Sequence, residues 1–187
     1  MIGLIVFLVL IVIVLLYLVG AYNGLVGARN RTDEAYSDIE VQMKRRHDLI
    51  PNLVESVKGY VKQESGVLEE VTQARANAIS AGQKGIKEQE VAENALSGAL
   101  KSVFAVAENY PDLKSSDNFQ QLSSELTDTE DKIMAARRFY NANVRDFNTK
   151  IQLFPTNLFA TGLGFKIREF FALEGDSAAK EAVEVKF

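Results

Sequence analysis

The chain has 187 residues, with 21 Lys and Arg against 25 Asp and Glu, one His and no Cys. A net charge of −4, mixed along the chain, shows no nucleic-acid footprint. The missing cysteines exclude a disulfide framework and a lipid-modified cysteine anchor, while leaving the compartment open.

Every charged side chain lies at or beyond Arg29. Residues 2–19, IGLIVFLVLIVIVLLYLV, are almost purely aliphatic, and ~20 helical residues span a ~30 Å hydrocarbon core. A cleaved signal peptide is the competing reading. It needs a basic leading region and an apolar core of only about 7–15 residues. No Lys or Arg precedes this run, and although Val19-Gly20-Ala21 is a passable cleavage site, a retained transmembrane anchor over residues 1–22 fits better. Arg29 and Arg31 follow the run, so the positive-inside rule predicts a single-pass protein of the cell membrane. Its N-terminus is expected outside and its body in the cytoplasm.

Beyond the anchor, Ala35, Ile39 and Met43 recur at helical spacing, with Tyr36 beside them, predicting that the first helix continues through Asn23 and Gly27, with Gly20, Gly24 and Gly27 as candidate bend points. Proline disfavours helix at the residue before it, so a boundary is expected near Pro51. A second helix is then predicted from about Leu53 to Ala81, with Val54, Val57, Val61, Leu68, Val71, Ala74 and Ala78 as its apolar stripe. Gly82 and Gly85 end it. A third is expected from about Lys87 to Tyr110, with Val91, Ala95, Ala99, Val103 and Ala107 on one side and Pro111 as its stop. The fourth has the longest pattern. Phe119, Leu122, Leu126, Thr129, Ile133, Ala136, Tyr140, Val144, Phe147, Ile151 and Phe154 alternate at three and four until Pro155. No stretch alternates with period two for the length of a strand.

Long helices joined by short turns pack as antiparallel neighbours. The expected fold is therefore all-α: a transmembrane helix continuing into an antiparallel, up-down four-helix bundle of long helices. The bundle domain is expected over 23–174, followed by a loosely ordered tail over 175–187. The same stripes also suit an intermolecular coiled coil.

Several segments together resemble the LemA family. They run from Tyr22-Asn23-Gly24-Leu25-Val26 with Arg29-Asn30, through Asp38-Ile39 and Arg45-Arg46-His47-Asp48-Leu49-Ile50-Pro51-Asn52-Leu53-Val54, to Val57-Lys58-Gly59-Tyr60 and Glu64. Ala74-Arg75-Ala76, Arg138 with Tyr140-Asn141, Phe154-Pro155 with Asn157, Gly164-Phe165 and Phe170-Phe171 complete the pattern. The resemblance covers the chain to about Glu174. It implies a bacterial protein with one N-terminal transmembrane helix and a compact antiparallel helical domain. It implies no agreed biochemical activity; relatives include proteins of magnetosome membranes.

Three clusters are candidate contacts for lipid or a protein partner. Tyr22, Asn23, Arg29 and Arg31 sit at the membrane exit, where aromatic rings suit the interface and arginines suit lipid phosphates. Arg45-Arg46-His47-Asp48 is the densest polar group. One reading makes it a site for an anionic partner, with His47 as a ligand or proton carrier. The other pairs both arginines with carboxylates of neighbouring helices and lets His47 cap helix carbonyls. Phe165, Phe170 and Phe171 either dip into the interface or cover the end of the core. Glu125, Asp128, Glu130 and Asp131 read as a solvated acidic face.

No G-x-S-x-G, P-loop, H-E-x-x-H or G-x-G-x-x-G occurs, and His47 is the one imidazole available to activate a nucleophile. The expectation is a non-catalytic scaffold or adaptor of the bacterial cell envelope, with no cofactor, metal or small-molecule substrate. The partners expected are the lipid bilayer and a protein partner or further copies of the chain. The alternatives are a self-assembling, membrane-shaping protein and an accessory subunit of a membrane protease.

Overall fold

A computed structural model describes residues 1–61 and 64–171; the tail expected over 175–187 lies outside the described residues. All regular structure among them is helical: α1 (Ile2–Lys58), α2 (Ser65–Ala81), α3 (Ile86–Ala107), the single turn α4 (Pro111–Lys114), α5 (Asp117–Gln152) and a 3-10 turn, Thr156–Leu158. No strand occurs in this part of the chain.

The chain divides into two compact units. One comprises Met1–Ser37 and Phe139–Glu169. In it the start of α1 is bare, with nearly every side chain from Ile2 to Gly20 exposed. That stretch is long and apolar enough to cross a membrane. From Leu25 onward α1 becomes buried on one side, where Leu25 and Ala28 pack with Phe147 and Ile151 of α5 and with Ala160 and Phe165 beyond it. Tyr36 stacks on Tyr140 with ring centroids 5.7 Å apart. Within this unit, α1 and α5 therefore run antiparallel, since rising numbers on one meet falling numbers on the other.

The other unit holds Asp38–Arg138 and the described residues from Phe170 on. Its core takes Ile50, Leu53 and Val57 from α1, Leu68 and Val71 from α2, Leu96, Leu100 and Val103 from α3, and Phe119 and Leu126 from α5. The four-residue link 82–85 returns α3 along α2, with Gly85 at a φ of +124° that a side chain would strain.

Pro51 does not end the first helix, contrary to the sequence expectation; α1 runs through it to Lys58. A proline at position 51 deprives the carbonyl of residue 47 of its i+4 donor. Here Arg75 of α2 replaces that donor, its Nε–H donating to the His47 carbonyl oxygen at 2.6 Å. The break falls instead after Lys58, at Gly59 and Tyr60, so α2 starts at Ser65 rather than near Leu53. Arg75→Ala should accordingly cost about 1–3 kcal/mol, the cost of an orphaned buried acceptor. In a Pro51→Ala background, where the helix supplies its own N–H, most of that cost should vanish. Urea unfolding of the four proteins in the double-mutant cycle measures the difference.

The expected face of α3 is buried at Ala99, Val103 and Ala107 but not at its start, Val91 and Ala95. Val91 is 70% exposed, because successive steps of four drift around a 3.6-residue helix. The buried residues are Gln89, Glu93, Leu96, Ser97, Ala99, Leu100, Val103 and Ala107; Gln89, Glu93, Leu96, Leu100, Val103 and Ala107 follow an alternation of four and three whose first two members are polar. On α5, Phe119, Leu126, Thr129, Ile133, Tyr140, Val144, Phe147 and Ile151 are buried as the 3-4 pattern predicts. The helix ends at Gln152, two residues short of Phe154.

Candidate functional site

Those two polar positions on α3 lead to the interior charge cluster of the second unit. Arg46 on α1 is fully buried, as is Glu93 on α3. The Arg46 guanidinium donates to Glu93 through one terminal nitrogen and to Glu130 of α5 through the other. The nitrogen bound to Glu130 also reaches Ser97 Oγ at 2.9 Å, and that hydroxyl donates to Glu130 at 3.1 Å. His47 Nε2 stands 3.0 Å from the second Glu93 oxygen, an ion-pair distance that misses linear N–H···O geometry. Burial alone would push the Glu93 carboxyl up, but the contact with His47 and the Arg46 charge outweigh it and hold it below the usual carboxylate range.

A second buried arginine completes the cluster. Arg137 of α5 lies with its guanidinium 4.5 Å from the centre of the Phe171 ring. Burial, and then the nearby Arg46 charge, lower its pKa against the opposing pull of Glu130, Glu93 and Glu90. Two arginines and two glutamates thus neutralise one another inside the unit, joined by His47 at the edge. A buried charge without its partner costs several kcal/mol.

The candidate residues fall as follows. Arg45 lies 4.0 Å from Glu125 and 3.9 Å from Asp128, so the arginines pair with carboxylates of other helices. His47 is inside α1 against Glu93, not at a helix end capping carbonyls. Glu130 leaves the expected solvated face, because it sits one turn after buried Leu126 and turns in to Arg46. In the first unit Tyr22 meets the Phe165 ring edge to face at 5.7 Å, and Arg29 lies 5.6 Å from the centre of the same ring. Asn23 and Arg31 are exposed. Phe165 and Phe171 are buried, while Phe170 faces solvent, so the three phenylalanines do not form one patch.

Sequence reading missed Glu93, Ser97, Glu130, Arg137 and Asn148. Asn148 clamps the segment after the 3-10 turn: its Nδ2 donates to the Arg168 carbonyl at 2.9 Å, and its Oδ1 accepts from the Arg168 amide at 2.8 Å. Tyr140 Oη donates to the Glu169 carbonyl at 3.0 Å. Burial, as the largest cause, pushes the Tyr140 phenol up to about 12, so it remains a donor throughout the physiological range. Asn148→Ala should cost about 1–3 kcal/mol and release the Arg168 amide to solvent, which hydrogen exchange at that residue reads directly.

Several open hollows mark the surface of the second unit, two of them lined by both apolar and charged side chains. One, of about 700 Å³, has Phe104, Ala107 and Phe119 in its lining and Glu108, Asp128 and Asp131 among its polar residues. The other, of about 560 Å³, is lined by Ala81, Val91 and Ala92 with Lys84 and Lys87. Among the described residues no group of three or more His, Cys, Asp or Glu is placed to hold a metal ion.

Comparison with known proteins adds a relationship. The model of the LemA family matches residues 35–187. Protein LemA of Metamycoplasma hominis is 35% identical over an alignment covering 78% of this chain and 66% of the relative. Magnetosome protein MamQ 2 of Paramagnetospirillum magneticum is 27% identical, covering 80% of this chain and 64% of its own. Magnetosome protein MamQ of Magnetospirillum gryphiswaldense is 25% identical over the same shares. The chain spans just under two thirds of the length of these relatives.

Proposed function

Because the chain belongs to the LemA family, we propose that it is a non-catalytic scaffold or adaptor tethered to the bacterial inner membrane. Residues 1–22 are the anchor, the N-terminus lies outside, and the helices beyond it form an antiparallel up-down bundle on the cytoplasmic face. Arg29 and Arg31, the first charges after the apolar run, support that orientation. The match to magnetosome proteins MamQ is in keeping with service at a membrane.

The observation that carries the adaptor reading is the division of labour among charges. Arg46 pairs with Glu93 and Glu130 within the second unit, with the Arg137 charge nearby, which leaves the outer hollows for recognition. The hollow containing Phe104 and Phe119 combines an apolar floor with Asp131 and with Glu108 and Asp128, which Lys114 and Lys132 bridge, a net acidic lining suited to a basic protein segment carrying an apolar side chain. Thr127→Arg with Asp131→Lys, both at exposed positions in the lining of that hollow, should abolish partner capture without unfolding the chain.

The test is the mass of the full-length protein extracted with its native lipids, with co-purifying chains identified after mild crosslinking. One stoichiometric partner, lost in the Thr127→Arg, Asp131→Lys variant, supports the adaptor. A discrete large assembly of this chain alone favours the membrane-shaping alternative. The lysine-bearing hollow around Val91 supports that second reading, since its charge is opposite to that of the acidic one.

A further inference from the structure

In the first unit, large apolar side chains crowd the segment after α5: Leu153, Phe154, Leu158 and Leu163 are all exposed, Phe154 by 78% and Leu158 by 74%. Exposed apolar groups at this density in one short segment mark a contact surface. Their position along α1 identifies what they touch. Leu153 and Phe154 share a hollow of about 270 Å³ with Tyr17, Ala21 and Gly24. Residues 2–19 make ~27 Å of helix, about the thickness of the hydrocarbon core. Tyr17 therefore belongs to the last turn inside that core, and the hollow lies at its edge.

The charge pattern agrees. Leu153 to Phe165 contains no charged residue, and Lys150 and Lys166 bracket it. Lysines at such borders reach headgroups while their neighbours enter the acyl boundary. We infer that the segment from Leu153 to Leu163 is a second membrane contact, a wedge of turns around the 3-10 helix Thr156–Leu158, seated in the interfacial layer of the leaflet that α1 leaves. This rests on the reading of residues 1–22 as a membrane anchor. It assigns lipid contact to residues other than Phe165 and Phe171, which are buried in the protein.

The chain has no Trp, so single tryptophans report depth without background. The test reconstitutes full-length Phe154→Trp, Leu158→Trp, Phe139→Trp and Leu10→Trp variants into phosphatidylcholine–phosphatidylglycerol vesicles with brominated acyl chains. Phe139 is also exposed on α5 but lies ~22 Å of helix before Phe154, on the side where Tyr140 meets Tyr36. The expected result is strong quenching at Leu10→Trp, and at Phe154→Trp and Leu158→Trp quenching several-fold above Phe139→Trp with blue-shifted emission. Quenching at Leu10→Trp, with 154 and 158 as unquenched as 139, overturns the wedge and leaves the anchor standing. Absence of quenching at Leu10→Trp overturns both.

Discussion

Replacing Arg46 with alanine should destabilise the protein by about 3–5 kcal/mol, since removing one partner of a buried ion pair strands the other. Glu93 is the group stranded: it is fully buried, and Arg46 and His47 are what hold its carboxyl down. Arg46→Lys should recover little of the loss, because an ammonium lacks the fork that serves Glu93 on one side and Glu130 with Ser97 on the other. The pH dependence has a definite sign. Glu93 is depressed in the folded protein, so its contribution is present above the ordinary glutamate range and is lost as pH falls through the depressed value. In the Arg46→Ala variant only the His47 contact still opposes burial, so the carboxyl rises from that depressed value. The deficit against wild type, read from urea unfolding, should therefore shrink as pH is lowered into the glutamate range.

Phe165→Ala is expected to cost about 3–5 kcal/mol, the usual penalty for emptying a buried aromatic site. Phe165 fills the space between Tyr22, Phe147 and the Arg29 guanidinium, so it joins the stretch of α1 just past the apolar run to α5. Phe170→Ala, at a half-exposed position, should change stability by no more than about 0.5 kcal/mol. Hydrogen exchange at Arg168, held by Asn148, should rise sharply in the first variant and hardly at all in the second. Equal effects would return all three phenylalanines to a single role.

The helical class, the apolar first helix and the register of α5 were legible in the sequence, for one physical reason. Each rests on local periodicity, and the 3-4 alternation from Phe119 to Ile151 repeats often enough to fix a face. Pro51 was misread because its remedy is not local: the donor that replaces the lost N–H comes from Arg75 on another helix. The start of the α3 face was misread, while Ala99, Val103 and Ala107 were placed correctly, because its first two inward positions, Gln89 and Glu93, are polar. A search for apolar residues skips them and settles on exposed Val91. Arg137 was hidden in the same way behind its neighbour Ala136. A polar residue occupying an inward position of an otherwise strict 3-4 alternation is the signal that would have found the charge cluster. Phe154 extends the α5 pattern by count, yet the helix has ended before it and its side chain faces outward.

One-sided tethering is the claim on which the functional reading depends, and the absence of native cysteine makes it directly measurable. Glu70→Cys and Arg145→Cys place single thiols at exposed positions, one in each unit. Bacterial cells expressing either full-length variant would be treated with a membrane-impermeant maleimide before and after permeabilisation. Labelling of both thiols only after permeabilisation is the predicted result. Ready labelling in intact cells would contradict the cytoplasmic placement, and with it the scaffold proposed for that face of the membrane.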